Sequence, residues 1–297
     1  MDKIRNEIFK GAATAIITPF KNGEVDFEAF GNLIDKQIEC GICALVVCGT
    51  TGEASTMDYE EHLACIKFAV ERTKKRVPVI AGTGSNCTKK AIYLSQKACE
   101  LGADALLIIT PYYNKASIEG LINHFTSIAD SVDKPIILYN VPSRTGVNIP
   151  IEVYKALANH KNIMGVKEAS GNLSSIALLL SECGEKLAVY SGNDDQILPI
   201  LALGGSGVVS VVSNIMPTET QKLCDSFFSG NIELARKIQL QLMNMINALF
   251  CEVNPIPLKY AMSIIGLCSG EVRLPLTSPG EKSKAKIFET LSRYNLI

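Results

Sequence analysis

The sequence predicts an α/β fold, a closed (β/α)8 TIM barrel with a C-terminal helical extension. Three observations predict it. Eight short, β-branched runs alternate with longer amphipathic stretches along most of the chain. Most of these runs are nearly continuous in apolar residues, as strands of a parallel sheet covered by helices on its outer face must be. The length, 297 residues, accommodates one barrel of roughly 250 residues with a tail left over. The main rival, an open doubly wound sheet, would carry a glycine-rich nucleotide turn after its first strand, and Thr18-Pro19-Phe20-Lys21 is not one.

The first strand is Ala12–Pro19. Helix Asp26–Cys40 follows, opened by an Asp and with Phe30, Leu33, Ile34 and Ile38 on one face. Strand Ala44–Gly49 leads to helix Asp58–Arg72, with Leu63, Ile66, Ala69 and Val70 repeating the pattern. Strand Pro78–Thr83 precedes helix Thr88–Leu101, and strand Ala105–Pro111 precedes helix Ser117–Val132. Strand Pro135–Val141 precedes helix Pro150–Ala158, and strand Ile163–Glu168 precedes helix Leu173–Cys183. Strand Ala188–Gly192 is followed by a shorter helical run, Asp194–Leu203, and Gly207–Ser213 is the eighth strand. The Gly204-Gly205-Ser206-Gly207 run before it reads as a turn at the barrel bottom rather than a phosphate loop. Four further helices follow: Thr218–Phe228, Ile232–Cys251, Pro255–Gly266 and Glu281–Arg293. This divides the chain into a catalytic barrel, residues 1–225, and a helical extension, residues 226–297.

Charges nearly cancel, 29 Lys+Arg against 30 Asp+Glu, which gives no footprint for nucleic acid. No apolar run is long enough to span a bilayer, and Met1-Asp2-Lys3-Ile4-Arg5-Asn6 holds no apolar leader core. The ten cysteines are spread over a long chain, mostly within apolar or helical segments, and read as free thiols in a reducing cytoplasm. Cys40-x-x-Cys43 has the spacing of half a zinc site. No second pair completes it, and His62, His124 and His160 are scattered, so no metal is expected.

In such a barrel the reacting groups lie at the C-terminal ends of strands. There Lys167 stands out, because it sits in an apolar strand. A lysine that loses hydration yields its proton more readily, and the neutral amine can form an imine with a carbonyl substrate. The alternative is a strand lysine paired with Glu168, but adjacent strand residues face opposite ways. Tyr113, Tyr139 and the hydroxyl of Thr51 supply groups for an acid–base relay. Each tyrosine could equally be a core residue with a satisfied hydroxyl. Arg144, in a loop rich in Pro, Ser and Gly, is a fork for a carboxylate, or else a surface arginine. The Gly49–Gly52 turn lets backbone N–H groups approach an anion, with Thr50 and Thr51 adding hydroxyls.

Three stretches together carry a family likeness: Gly49-Thr50-Thr51-Gly52-Glu53, Tyr139-Asn140-Val141-Pro142-Ser143-Arg144-Thr145-Gly146 and Gly165-Val166-Lys167-Glu168-Ala169-Ser170-Gly171. With Asn254-Pro255-Ile256-Pro257-Leu258-Lys259 in the tail, the chain resembles the dihydrodipicolinate synthases nearly end to end. These belong with the N-acetylneuraminate lyases and sugar-acid aldolases of the class I aldolase superfamily. The Thr50-Thr51 pair and the Ser-Arg-Thr-Gly loop favour the synthases over the lyases. A pyruvate-dependent sugar-acid lyase is the second reading, and a non-catalytic barrel that binds a keto acid is the third.

The resemblance implies a carbon–oxygen lyase that condenses pyruvate with L-aspartate 4-semialdehyde, the first committed step toward diaminopimelate and lysine. It needs no cofactor beyond the covalent imine of pyruvate with Lys167. Tyr139, Thr51 and Tyr113 would move protons, with the Tyr113 counterpart completing the site of a neighbouring subunit. Thr50 and Thr51 would bind the pyruvate carboxylate, Arg144 the aldehyde substrate's carboxylate, and Gly192 and Val209 would line the pocket. A homotetramer of two tight dimers is implied, with neither nucleic acid nor membrane as partner. An effector site for lysine would involve Ala54, Ser55, Tyr59, His62, Asn86, Lys90 and Tyr112. Lysine-sensitive members carry a glutamate where Lys90 stands here, so lysine inhibition is expected to be weak or absent.

Overall fold

The computed structural model describes residues 7–297. The segment read above as lacking a leader core lies outside them. Eight parallel strands form the barrel: β1 (Gly11–Ala15), β2 (Ala44–Val47), β3 (Val79–Gly82), β4 (Ala105–Ile109), β5 (Ile136–Asn140), β6 (Ile163–Glu168), β7 (Ala188–Ser191) and β8 (Gly207–Ser210). Each pairs with its sequence neighbours, and β1 pairs with both β2 and β8, which closes the cylinder. Closure is tight. Gly207 (φ +156°) lies so close to β1 that a Cβ there would stand 1.9 Å from the Gly11 carbonyl oxygen. Only glycine fits that approach.

The runs are buried on both faces, as their composition requires. Inside the barrel lie Ala13, Val46, Ile80, Leu107, Ile137, Tyr139, Tyr190 and Val209. On the other face of the same strands, Leu45, Leu106, Leu138, Val166 and Val208 pack under the helices. Those helices are α1 (Phe27–Glu39), α2 (Tyr59–Thr73), α3 (Thr88–Glu100), α4 (Ile118–Asp130), α5 (Ile151–Leu157), α6 (Leu173–Cys183), α7 (Ile197–Ala202) and α8 (Pro217–Phe228). The side chains of Asp26, Asp58, Ser117 and Asn172 accept from the first-turn N–H groups of α1, α2, α4 and α6, each cap contributing about 1 kcal/mol.

Three local features depart from the sequence reading. Residues 194–203 are not one helix. A 3-10 turn, Asp194–Gln196, precedes α7, because the Asp194 carboxylate accepts from the N–H groups of Val211 and Val212 beyond β8. The loop after β5 coils into a single helical turn, Pro142–Thr145, stopped by Gly146 at φ +70°. A small antiparallel ribbon, Phe20–Lys21 with Glu24–Val25, turns on Asn22 and Gly23, both at positive φ, as an Asn-Gly pair favours.

Past α8, which runs through residue 225 to Phe228, come α9 (Ile232–Leu249), α10 (Ile256–Ile264) and α11 (Glu281–Arg293). Leu242, Met245, Ile246 and Leu249 of α9 and Ile287 and Leu291 of α11 join the main apolar core. The loops around α10 reach the C-terminal mouth of the barrel, where Lys259 pairs with Glu53 beyond β2 at 2.5 Å, both side chains almost wholly buried. Lys259 also lies 4.0 Å from the centre of the Phe20 ring. None of the helices in residues 7–297 is long and apolar enough to cross a membrane.

Candidate active site

Tyr139 and Lys167 are direct partners across β5 and β6. Both point inward, because side chains alternate along a strand and Val166 and Glu168 take the helix side. The Lys167 ammonium stands 4.2 Å from the centre of the Tyr139 ring. Lys167 is only 5 % exposed, and among the described residues no carboxylate lies within ion-pair distance of its Nζ. Glu168 is engaged elsewhere. It accepts from Asn140 Nδ2, the Tyr154 hydroxyl and Ser170 N–H, and with burial its charge pushes the Tyr154 phenol well up.

Gly192, one residue beyond β7, lies against the Lys167 stem. A Cβ there would come within 3.2 Å of Lys167 Cε and 2.6 Å of Ala169 Cβ. The absence of a side chain leaves the lysine its space. Val209 faces the barrel interior with Tyr139. Burial raises the Asp194 carboxyl pKa, against hydrogen bonds from Ser210, Val212 and Val211 and the positive charge of Lys167.

After β2 the chain turns sharply. Cys48 and Glu53 have φ near +55°. Gly52 N–H returns to Gly49 O and Glu53 N–H to Thr50 O, both at 3.1 Å, while Thr18 Oγ1 donates to Gly52 O at 2.8 Å. The N–H groups of Thr50 and Thr51 take no partner among the described residues. Thr51 is buried, and its Oγ1 accepts from Asn254 Nδ2 at 3.0 Å. Arg144, on the turn after β5, donates through Nη2 to the Asn254 carbonyl oxygen at 2.9 Å.

Tyr113 stands apart. It has φ +74° and is 90 % exposed, on the loop after β4. The single chain therefore brings Lys167, Tyr139, Thr51 and Arg144 to the strand ends and leaves the Tyr113 side chain exposed.

A cavity of about 500 Å³ opens beside this mouth. Thr50, Tyr139 and Arg144 line it together with all seven residues assigned to the effector site: Ala54, Ser55, Tyr59, His62, Asn86, Lys90 and Tyr112. Lys90 is exposed in the first turn of α3, without an ion-pair partner among the described residues. His62 is buried with Nε2 2.8 Å from Gly82 O, and burial lowers its pKa against that hydrogen bond. Among the described residues no three His, Cys, Asp or Glu side chains gather as a metal would need. All ten cysteines are free.

Sequence reasoning missed Asn254 and the buried Lys259–Glu53 pair. Asn254-Pro255 and Lys259 belong to a stretch that carried the family likeness, but nothing local in the chain links residue 254 to residue 51.

A (β/α)8 barrel with a buried inward lysine on β6, a tyrosine beside it and polar groups at the C-terminal mouth is an enzyme-type barrel. The chain belongs to the dihydrodipicolinate synthetase family, whose sequence model matches residues 8–294. It is 52 % identical over 290 residues to the 4-hydroxy-tetrahydrodipicolinate synthase of Geobacter metallireducens, covering 98 % of this chain and all of the relative. It is 53 % identical over 290 residues to the enzyme of the same name from Caldicellulosiruptor bescii, covering 97 % of this chain and 98 % of the relative. The dihydrodipicolinate synthase structure from Aquifex aeolicus superposes with a TM-score of 0.95 at 45 % identity, over 97 % of this chain and 99 % of that one. A structure described as the first monomeric dihydrodipicolinate synthase variant gives 0.96 at 41 %, over 98 % of both chains.

Proposed function

We propose that this protein condenses pyruvate with L-aspartate 4-semialdehyde to 4-hydroxy-tetrahydrodipicolinate, the activity its relatives are named for. The observation that carries the reading is the buried Lys167 amine set against Tyr139, with no carboxylate partner among the described residues.

The Lys167 amine attacks the pyruvate ketone and, with loss of water, forms an imine. The N–H groups and hydroxyls of Thr50 and Thr51 receive the pyruvate carboxylate. Removal of a methyl proton gives an enamine, whose carbon adds to the aldehyde, and the new alkoxide takes up a proton. The amino group of the second substrate then attacks the imine carbon, closes the ring and releases Lys167. Tyr139 and Thr51 exchange the protons of these steps. Tyr113, exposed on its own chain, completes the relay of a neighbouring subunit. Arg144 holds the carboxylate of the semialdehyde.

The working unit is a tight dimer, paired into a tetramer. Barrel residues 1–225 carry the reacting groups, and the extension, 226–297, braces the mouth. The unpaired cysteines suit the reducing cytoplasm.

The test is turnover by the purified protein. Loss of pyruvate that depends on aspartate semialdehyde is expected, without cleavage of N-acetylneuraminate. The reverse preference would replace this reading with the sugar-acid lyase.

A further inference from the structure

We infer that Asn254, carried by the C-terminal extension, is a positioning residue that turns the Thr51 hydroxyl into a proton donor at the barrel mouth. The inference rests on the role of Thr51 proposed above. A hydroxyl has one hydrogen to give and two lone pairs. Asn254 Nδ2 donates to Thr51 Oγ1 at 3.0 Å and so occupies one lone pair. The hydroxyl hydrogen then cannot aim at the amide. Thr51 is buried, and its Oγ1 makes no other hydrogen bond among the described residues. That hydrogen is left for the reacting groups.

The amide is held in place to do this. Asn254 is 5 % exposed, and its carbonyl accepts Arg144. Five residues on, Lys259 pairs with Glu53, two residues past Thr51. Glu53 Oε2 also accepts from Arg273 N–H at 3.1 Å. The extension thus grips the turn after β2 at Thr51 and again at Glu53. Asn254 Oδ1 is buried without a partner among the described residues, a penalty that folds retain where a group is held for a task.

The two contacts of Asn254 separate in experiment. Its side chain reaches Thr51, whereas its backbone holds Arg144. Asn254→Asp replaces the donor with an acceptor, and the Thr51 hydrogen is drawn to the carboxylate. Asn254→Ala removes the donor without burying a charge and keeps the test readable if the aspartate variant does not fold. Steady-state kinetics with both substrates should show kcat lowered about tenfold or more in either variant. KM for the semialdehyde should stay within about twofold of the parent. In a Thr51→Val background, adding Asn254→Ala should change kcat by less than about twofold, because the two groups act as one.

Parental kcat in the Asn254 variants, or losses that multiply in the double variant, would overturn the inference. So would a parallel rise in semialdehyde KM, which would mark a displaced loop and a purely structural residue. Parental kcat in Thr51→Val alone would instead overturn the role of Thr51, and this inference with it.

Discussion

Tyr139 and Lys167 meet ring to ammonium at 4.2 Å, as register partners on adjacent strands of the barrel. The strand pairing sets that distance, so the phenol and the amine are placed together before any substrate arrives. Positioning of this kind avoids the entropy cost of bringing groups together during reaction.

Tyr139→Phe should separate the two functions of that ring. The aromatic face over Lys167 remains, and the proton donor is lost. We expect kcat to fall by about 10²–10⁴-fold while the folded barrel keeps its unfolding midpoint. Assay of both quantities on one preparation checks it. A parental kcat would remove Tyr139 from the relay.

Tyr113 is 90 % exposed on its own chain, so its contribution should pass between subunits. Tyr113→Phe and Lys167→Ala chains should each be nearly inactive alone. When mixed through a dissociation and reassembly step, they should regain activity, because a hybrid dimer holds one site with both Lys167 and Tyr113. Failure of properly formed hybrids to recover would place Tyr113 outside the catalytic unit.

The strand ends were readable because a parallel barrel leaves its mark in continuous apolar runs, and a lysine interrupting one is conspicuous. Lys167, Tyr139 and Thr50–Thr51 could be found in this way. Asn254 could not. Its partner lies 203 residues away in the chain, and an Asn-Pro in a loop reads locally as a turn. Lys259 lies in a helix of the extension whose sequence gives no local sign of a partner, yet it is wholly buried against Glu53. The break after Asp194 also has a remote cause, since its carboxylate binds N–H groups beyond β8. Contacts closed by the barrel's return have no local signature.

Lys90 presents an exposed cation to the cavity that holds the expected effector residues. An effector amine would meet repulsion there, moderated by solvent. Lysine should therefore inhibit weakly or not at all, and Lys90→Glu should increase sensitivity by about tenfold. Titration of both proteins with lysine checks this. Inhibition of the parent at sub-millimolar lysine would contradict it.

His124, buried on α4 with Nδ1 2.9 Å from Thr88 Oγ1, has its pKa lowered by burial to about 4 from an ordinary 6.5. Its Nε2 is buried without a partner among the described residues, so a second ring proton would find no acceptor there. Between those two pH values the unfolded chain binds more protons than the folded one, so stability rises with pH. The contribution is complete above pH 6.5 and is lost as pH falls toward 4, about 3 kcal/mol in all. Urea midpoints across this range should flatten in His124→Gln. An unchanged slope would assign the acid sensitivity elsewhere.

Incubation with pyruvate and borohydride, followed by mass spectrometry of the digested chain, shows whether Lys167 is the nucleophile. A reduced pyruvate adduct on the peptide containing Lys167, absent when borohydride is omitted, is the result expected. An unmodified Lys167 peptide, or an adduct on another lysine, would remove Lys167 from that role.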